Sequence, residues 1–156
     1  MDVLMKRRML LAVLTAAALW PLMPKAQAEK VDRWFTGLVD GVAVGGYDPV
    51  AYFTEGQARR GDPSIALTHE GAIFHFATVE NRQAFSADPD RYAPQFGGYC
   101  AYAVAEGYTA KGEPEVWDIV DGRLYLNYSR GVQRTWQSDI PGYVRSAQTN
   151  WPTLSK

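Results

Sequence analysis

Residues 116–127 read VWDIVDGRLYLN, and this pattern predicts an antiparallel β-hairpin that turns at Asp121-Gly122. Aspartate followed by glycine is a strong signal for a two-residue turn, because both residues tolerate positive φ angles. The turn sets two apolar cross-strand pairs, Trp117 with Leu126 and Ile119 with Leu124. These pairs share one face of the hairpin, so another element of the chain must cover that face.

A second hairpin is predicted upstream, over residues 64–77, with its turn at Glu70-Gly71. A two-residue turn there gives three cross-strand pairs: His69 with Ala72, Leu67 with Phe74, and Ile65 with Phe76. His75 then lies across from Ala66, on the face of the hairpin opposite to His69.

Capping residues predict short helices between and around the hairpins. Asp48 caps a short helix that has Pro49 at its first position. Thr78 caps a second helix over residues 79–87, in which Phe85 is the main apolar anchor.

Two further helical regions follow from the spacing of apolar residues. One helix is predicted over residues 99–105, and the helical pattern of residues 132–151 divides at Pro141, with Asp139 as the cap of its second part. The prediction is an α+β fold: two short antiparallel β-hairpins packed with several short helices in a single compact domain. We find no internal repeat.

Residues 1–28 have the three parts of a cleavable signal peptide. The basic patch Lys6–Arg8 precedes the apolar run Met9–Leu19, and the small-x-small site Ala26-Gln27-Ala28 follows. The apolar run is shorter than the roughly 20 residues that a membrane-spanning helix needs. We predict cleavage before Glu29 and a periplasmic or secreted protein, exported by the Sec route or, as Arg7-Arg8 suggests, by the twin-arginine route.

The chain beyond the signal divides into a lead-in (29–41), a main domain (42–151) and a C-terminal tail (152–156). Cleavage removes four basic residues and one acidic residue, which leaves a net charge of −4 and no basic cluster. Nucleic acid is therefore not expected as a partner, and no transmembrane segment is expected after cleavage. All four methionines lie within residues 1–28, so the mature chain has no thioether ligand for a metal.

Cys100 is the single cysteine, so the mature domain cannot form an internal disulfide. It follows Gly97-Gly98 and is placed in the first turn of the predicted helix over residues 99–105. Backbone N–H groups at a helix start favour a thiolate, which predicts a partly accessible thiol with a pKa below the reference of about 8.5. The alternative interpretation is a buried structural cysteine, the commonest role of an unpaired thiol.

Four segments together resemble the YHS-domain family, in its small exported bacterial branch. They are GYDPVAYF (46–53), FHFA (74–77), FSADPDRY (85–92) and FGGYCA (96–101). The resemblance covers roughly residues 42–151. It implies a module associated with metal-transporting ATPases and metal-dependent enzymes, and suspected of binding a metal such as copper.

The sequence departs from the metal-type members of this family at three positions. Those members carry cysteines where this chain has Ala51, Ala77 and Asn81, so a thiolate cage of that kind cannot form here. The naming of the exported branch also implies that some of its members use selenocysteine, and position 100 is its natural place.

Three functions remain open from the sequence. The first is a non-enzymatic binding module of the cell envelope, linked to copper-type metal handling, with Cys100, His75 and His69 as the candidate ligands of a copper or zinc ion. The two histidines lie on opposite faces of their hairpin and cannot share one ion, although either could meet Cys100. The second function is thiol-redox or peroxide chemistry at Cys100, and the third is a structural or protein-interaction domain with an envelope protein as partner. The carboxylates show no catalytic spacing, and the sequence specifies neither the metal nor the oligomeric state.

Overall fold

A computed structural model describes residues 29–156, and the predicted signal peptide lies outside the described residues. The described chain has four strands: β1 (Asp62–His69), β2 (Ala72–Phe76), β3 (Glu113–Val120) and β4 (Arg123–Asn127). It also has six helices: α1 (Ala51–Thr54), α2 (Val79–Ala87), α3 (Pro89–Tyr92), α4 (Ala101–Ala105), α5 (Arg130–Gln137) and α6 (Ile140–Leu154). Two antiparallel two-stranded sheets pack with these helices, which confirms the predicted α+β domain.

The hairpin registers follow the predicted turns, except at the end of each hairpin away from its turn, where in the second hairpin Asn127 pairs with Glu113 and not with Val116. Strands β3 and β4 pair Trp117 with Leu126 and Ile119 with Leu124, as predicted, and β1 and β2 pair Leu67 with Phe74. The predicted pairing of Ile65 with Phe76 is wrong, since Phe76 pairs with Asp62. A β-bulge between Asp62 and Ala66 shifts the register and lengthens β1.

The predicted caps at Thr78 and Asp139 are present, whereas α1 begins at Ala51 with Val50 as its N-cap residue, so Pro49 lies before the helix and not at its first position. Thr78 Oγ1 accepts a hydrogen bond from Asn81 N at 3.1 Å, and Asp139 Oδ1 accepts one from Gly142 N at 3.0 Å. Helix α4 is shorter than predicted, because Tyr99 and Cys100 form isolated bridges to neighbouring strands before the helix begins. Cys100 is therefore the N-cap residue of α4.

The domain contains an internal repeat that the sequence analysis missed. The first repeat, residues 44–87, and the second repeat, residues 96–137, have the same order of elements. Each has a left-handed turn, a short helix, a bulged hairpin and a capped helix. The left-handed turns match closely, since φ is 54° at Val44 and 53° at Phe96.

The two repeats align with one change of register. Matching residues are 52 apart in the turn and the short helix, and 51 apart in the hairpin and the helix after it. The alignment pairs residues with equivalent roles: Tyr47 with Tyr99, Asp48 with Cys100, Thr78 with Ser129, and Phe85 with Trp136. The matched residues include the identical tripeptides Gly45-Gly46-Tyr47 and Gly97-Gly98-Tyr99, but most other matched pairs differ, so the repeat is clearer in the backbone than in the sequence.

The lead-in joins the two repeats. Trp34 packs edge-on against Phe74 of the first repeat, at 5.2 Å between ring centroids, and Phe35 packs against Tyr99 of the second repeat at 5.3 Å. Gly97 has a positive φ of 62°, and a Cβ there would lie 1.7 Å from the carbonyl oxygen of Arg33. The lead-in therefore crosses the second repeat at a point where only glycine fits.

The core divides into two clusters, one centred on each repeat. The first contains Phe74, Phe76 and Phe85, together with Leu124 and Leu126 of the other hairpin. The predicted apolar face of β3 and β4 is buried at Leu126, but Trp117 is half-buried and lies against Tyr52. Among residues 29–156, no helix has the length and apolar character to cross a membrane.

Candidate functional site

A buried carboxylate lies at the end of the left-handed turn in the first repeat. Asp48 is fully buried, and its Oδ1 accepts hydrogen bonds from Val50 N at 2.8 Å and Ala51 N at 3.3 Å. Its Oδ2 accepts from Ala77 N and from Asn81 Nδ2, both at 2.7 Å. Both oxygens act only as acceptors, which is the role of an ionised carboxylate. We call this arrangement of four donors the Asp48 site.

The three positions at which the YHS resemblance implies metal-binding cysteines meet at the Asp48 site. Ala51 and Ala77 contribute backbone N–H groups, and Asn81 contributes its side-chain amide. These groups are hydrogen-bond donors, which stabilise a negative charge and do not ligate a cation. In this chain the three positions therefore hold the carboxylate of Asp48.

Cys100 occupies the matching place in the second repeat. Its side chain is 1 % exposed, and the backbone N–H groups of Ala103, Tyr128 and Tyr102 favour its thiolate and act to lower the pKa of the thiol. In the repeat alignment these residues match Val50, Ala51 and Ala77, the backbone donors to Asp48. We call this arrangement the Cys100 site.

The accessibility and the pKa of the Cys100 thiol differ from those predicted from the sequence. Burial raises the pKa of the Cys100 thiol, because removal from water disfavours the thiolate, while the N–H groups of Ala103, Tyr128 and Tyr102 act in the opposite direction. The predictions of partial accessibility and of a lowered pKa are both wrong. Sequence reasoning located the N–H groups correctly but could not show that α4 and β4 would enclose the sulfur.

A small cavity adjoins the Cys100 site. It has a volume of about 230 Å³ and is lined by Cys100, Ala103, Tyr108, Ala110, Tyr128 and Val132. Tyr108 and Tyr128 are about half exposed, so they form its rim towards solvent. Val132 matches Asn81 of the first repeat. The second repeat therefore has an apolar side chain beside its cavity where the first repeat has an amide bonded to Asp48.

Asn127 is a residue of the Cys100 site that sequence reasoning missed. It is fully buried at the end of β4, and its Oδ1 lies 3.5 Å from Cys100 Sγ and accepts a hydrogen bond from Tyr102 N at 3.2 Å. Its Nδ2 is buried and has no hydrogen-bond partner in the described part of the chain. The sequence indicated Asn127 only as a polar residue that directly follows the apolar segment Leu124-Tyr125-Leu126.

The structure places the candidate histidines away from Cys100. His69 packs among aromatic rings, with Phe85 at 5.6 Å and Trp34 at 6.0 Å, and His75 lies beside Gly46. Neither histidine lines the Cys100 cavity. Within residues 29–156, no group of three or more His, Cys, Asp or Glu side chains is arranged to hold a metal ion.

No family model, curated protein or solved structure matches this chain. The resemblance to YHS-domain proteins stays a prediction from the sequence. The site must be interpreted from its own geometry, in which a buried thiol replaces a buried carboxylate.

Proposed function

We propose that this chain is a small thiol-reactive module whose working group is the sulfur of Cys100. The observation that carries the proposal is the match between Cys100 and Asp48. The fold surrounds both with equivalent backbone N–H groups, and in the first repeat those groups hold a carboxylate. A thiolate formed at Cys100 is stabilised by the same donors.

The cavity favours a small and largely apolar oxidant, for which an alkyl hydroperoxide is the simplest class. The Cys100 thiol loses its proton, and the thiolate sulfur attacks the terminal oxygen of the hydroperoxide. The O–O bond breaks, the sulfur becomes a sulfenic acid, and the alkoxide leaves and takes up a proton as the alcohol. The sulfur loses two electrons and the hydroperoxide gains them, so the step needs no other reactant.

Return to the thiol requires an external thiol. Two molecules of a small thiol would reduce the sulfenic acid to the Cys100 thiol and water while they form one disulfide. The chain has no second cysteine to take this role. The cycle therefore works at one sulfur, in the envelope location that the signal peptide predicts.

The test is trapping of the sulfenic acid with dimedone in the folded protein, after treatment with tert-butyl hydroperoxide. We expect one adduct, at Cys100, and none in Cys100→Ser. The rate should keep rising with pH above about 8.5, because burial raises the pKa of this thiol above its reference value. An adduct that forms only after denaturation would contradict the proposal.

Two controls separate the alternatives. Val132→Asn introduces the amide of the first repeat and makes the apolar lining of the cavity polar, so it should slow the reaction with tert-butyl hydroperoxide more than that with hydrogen peroxide. Elemental analysis of the purified protein tests the metal-handling function that the family resemblance implies. Stoichiometric copper or zinc that is lost in Cys100→Ser would favour metal handling over thiol chemistry.

A further inference from the structure

The Cys100 site contains a donor that the reduced thiol does not use. Asn127 Oδ1 accepts from Tyr102 N and lies within reach of the Cys100 S–H, so the oxygen of the amide has partners. Its Nδ2 is buried without a partner. A buried donor without a partner destabilises the folded state, and it points to a group that is absent from the reduced protein.

The Asp48 site shows what such a group looks like. There, three backbone N–H groups and one asparagine amide surround the two oxygens of a carboxylate. The Cys100 site has the same three backbone positions, but Val132 replaces Asn81. An asparagine amide is nevertheless present, because Asn127 at the end of β4 supplies one.

We propose that the Cys100 site is a receptor for the oxyanion of an oxidised cysteine, with the sulfinate as the state that fills it. A sulfinate and a carboxylate each place two oxygens on the atom that follows Cβ. Rotation of the Asn127 amide by half a turn would direct Nδ2 at the oxyanion. The same rotation frees the Tyr102 N–H to donate to it, so all four donors would have a partner.

This inference rests on the proposed function for the first oxidation step. The sulfenic acid sulfur then attacks a second molecule of hydroperoxide, whose O–O bond breaks. One oxygen is added to the sulfur, and the remainder leaves as the alcohol. The sulfur again loses two electrons, and the product is a sulfinic acid, which ordinary thiols do not reduce.

The receptor is tested without any oxidant by Cys100→Asp, which places a carboxylate in the site. We expect this variant to fold. At pH 7 the denaturant concentration at which it unfolds should equal that of the wild-type protein. The matched control is Ala101→Asp, because Ala101 is the next residue and is also 1 % exposed. The control should unfold at a much lower denaturant concentration, since a buried carboxylate without donors is strongly destabilising. If Cys100→Asp loses as much stability as Ala101→Asp, the inference is wrong.

A second measurement follows the modification itself by mass spectrometry. After prolonged treatment with tert-butyl hydroperoxide, we expect Cys100 to gain two oxygen atoms and then to stop. Asn127→Leu should slow the second addition several-fold more than the first. If Cys100→Asp is stable but the wild-type protein forms no sulfenic acid, the receptor is supported and the proposed function is contradicted. A protein that forms sulfenic acid but never adds a second oxygen would support the proposed function and contradict the sulfinate.

Discussion

In the first repeat the buried group after the left-handed turn is the Asp48 carboxylate, and in the second repeat it is the Cys100 thiol. The backbone around the two groups is equivalent, since both are approached by two N–H groups of a short helix and one N–H group after the hairpin. The comparison teaches that the main chain sets where a negative charge is stabilised. The side chain at that position decides whether the group in the site is a carboxylate or a thiol.

The repeats differ next in how their sites are closed. In the first repeat Asn81 reaches Asp48 and completes its hydrogen bonds. In the second repeat Val132 leaves a cavity whose rim is formed by two exposed tyrosines. The carboxylate of the first site is therefore fully hydrogen-bonded, whereas the buried thiol of the second site lines a cavity.

The largest effect is expected when the carboxylate of the first repeat is removed. Asp48→Ala leaves two buried and two partly buried donors without an acceptor, and we expect it to lower the free energy of unfolding by about 3–5 kcal/mol. Denaturant titration measures this loss. The matched change Cys100→Ala should cost about 2 kcal/mol or less, because a thiol is a weaker hydrogen-bonding group. Equal losses at the two positions would contradict the difference between the sites.

The next effect concerns the aromatic residues that anchor α2 and α5. Phe85 and Trp136 match in the repeat alignment, and both are fully buried. Each truncation to alanine should cost about 3–5 kcal/mol, through lost apolar burial and the cavity that remains. Denaturant titration of the two variants, with the exposed Gln83→Ala as control, checks whether the repeats are equally anchored. A loss below about 1 kcal/mol at either position would show that its helix is not held by that residue.

The smallest effect compares the two helix caps. Thr78 Oγ1 accepts from Asn81 N at 3.1 Å, and Ser129 Oγ accepts from Val132 N at 3.3 Å. Replacement of either residue by alanine should lower the free energy of unfolding by about 1 kcal/mol. The rate at which iodoacetamide alkylates Cys100 separates the two variants. Thr78→Ala should leave this rate unchanged. Ser129→Ala should change it, because it loosens the helix that carries Val132. Identical alkylation rates in both variants would contradict a link between α5 and the cavity.

Much of the fold could be predicted from local chemistry. The turns at Glu70-Gly71 and Asp121-Gly122, and the caps at Thr78 and Asp139, depend on residues close in sequence, and all four are present. The bulge at Asp62 could not be predicted, because the alternation of apolar residues alone does not fix where a strand gains extra residues.

The candidate site was predicted only in part. Cys100 was identified as a group near backbone N–H donors, and the structure shows those donors. Its burial, its cavity and its contact with Asn127 depend on the packing of α4 against β4 and α5, which a local sequence pattern does not specify. The repeat was missed because its left-handed turns restrain the backbone at Val44 and Phe96, residues that a sequence pattern does not associate with positive φ.

The crossing of the lead-in over Gly97 has a consequence for how the domain unfolds. Phe35 N donates to Gly97 O at 2.9 Å, while Trp34, one residue earlier, packs on the first repeat. Tyr52 of the first repeat also donates to Pro114 O, in β3 of the second repeat, at 2.8 Å. Neither half can open without releasing contacts of the other, so we expect the repeats to unfold as one cooperative unit with a single melting transition, although each has its own core cluster.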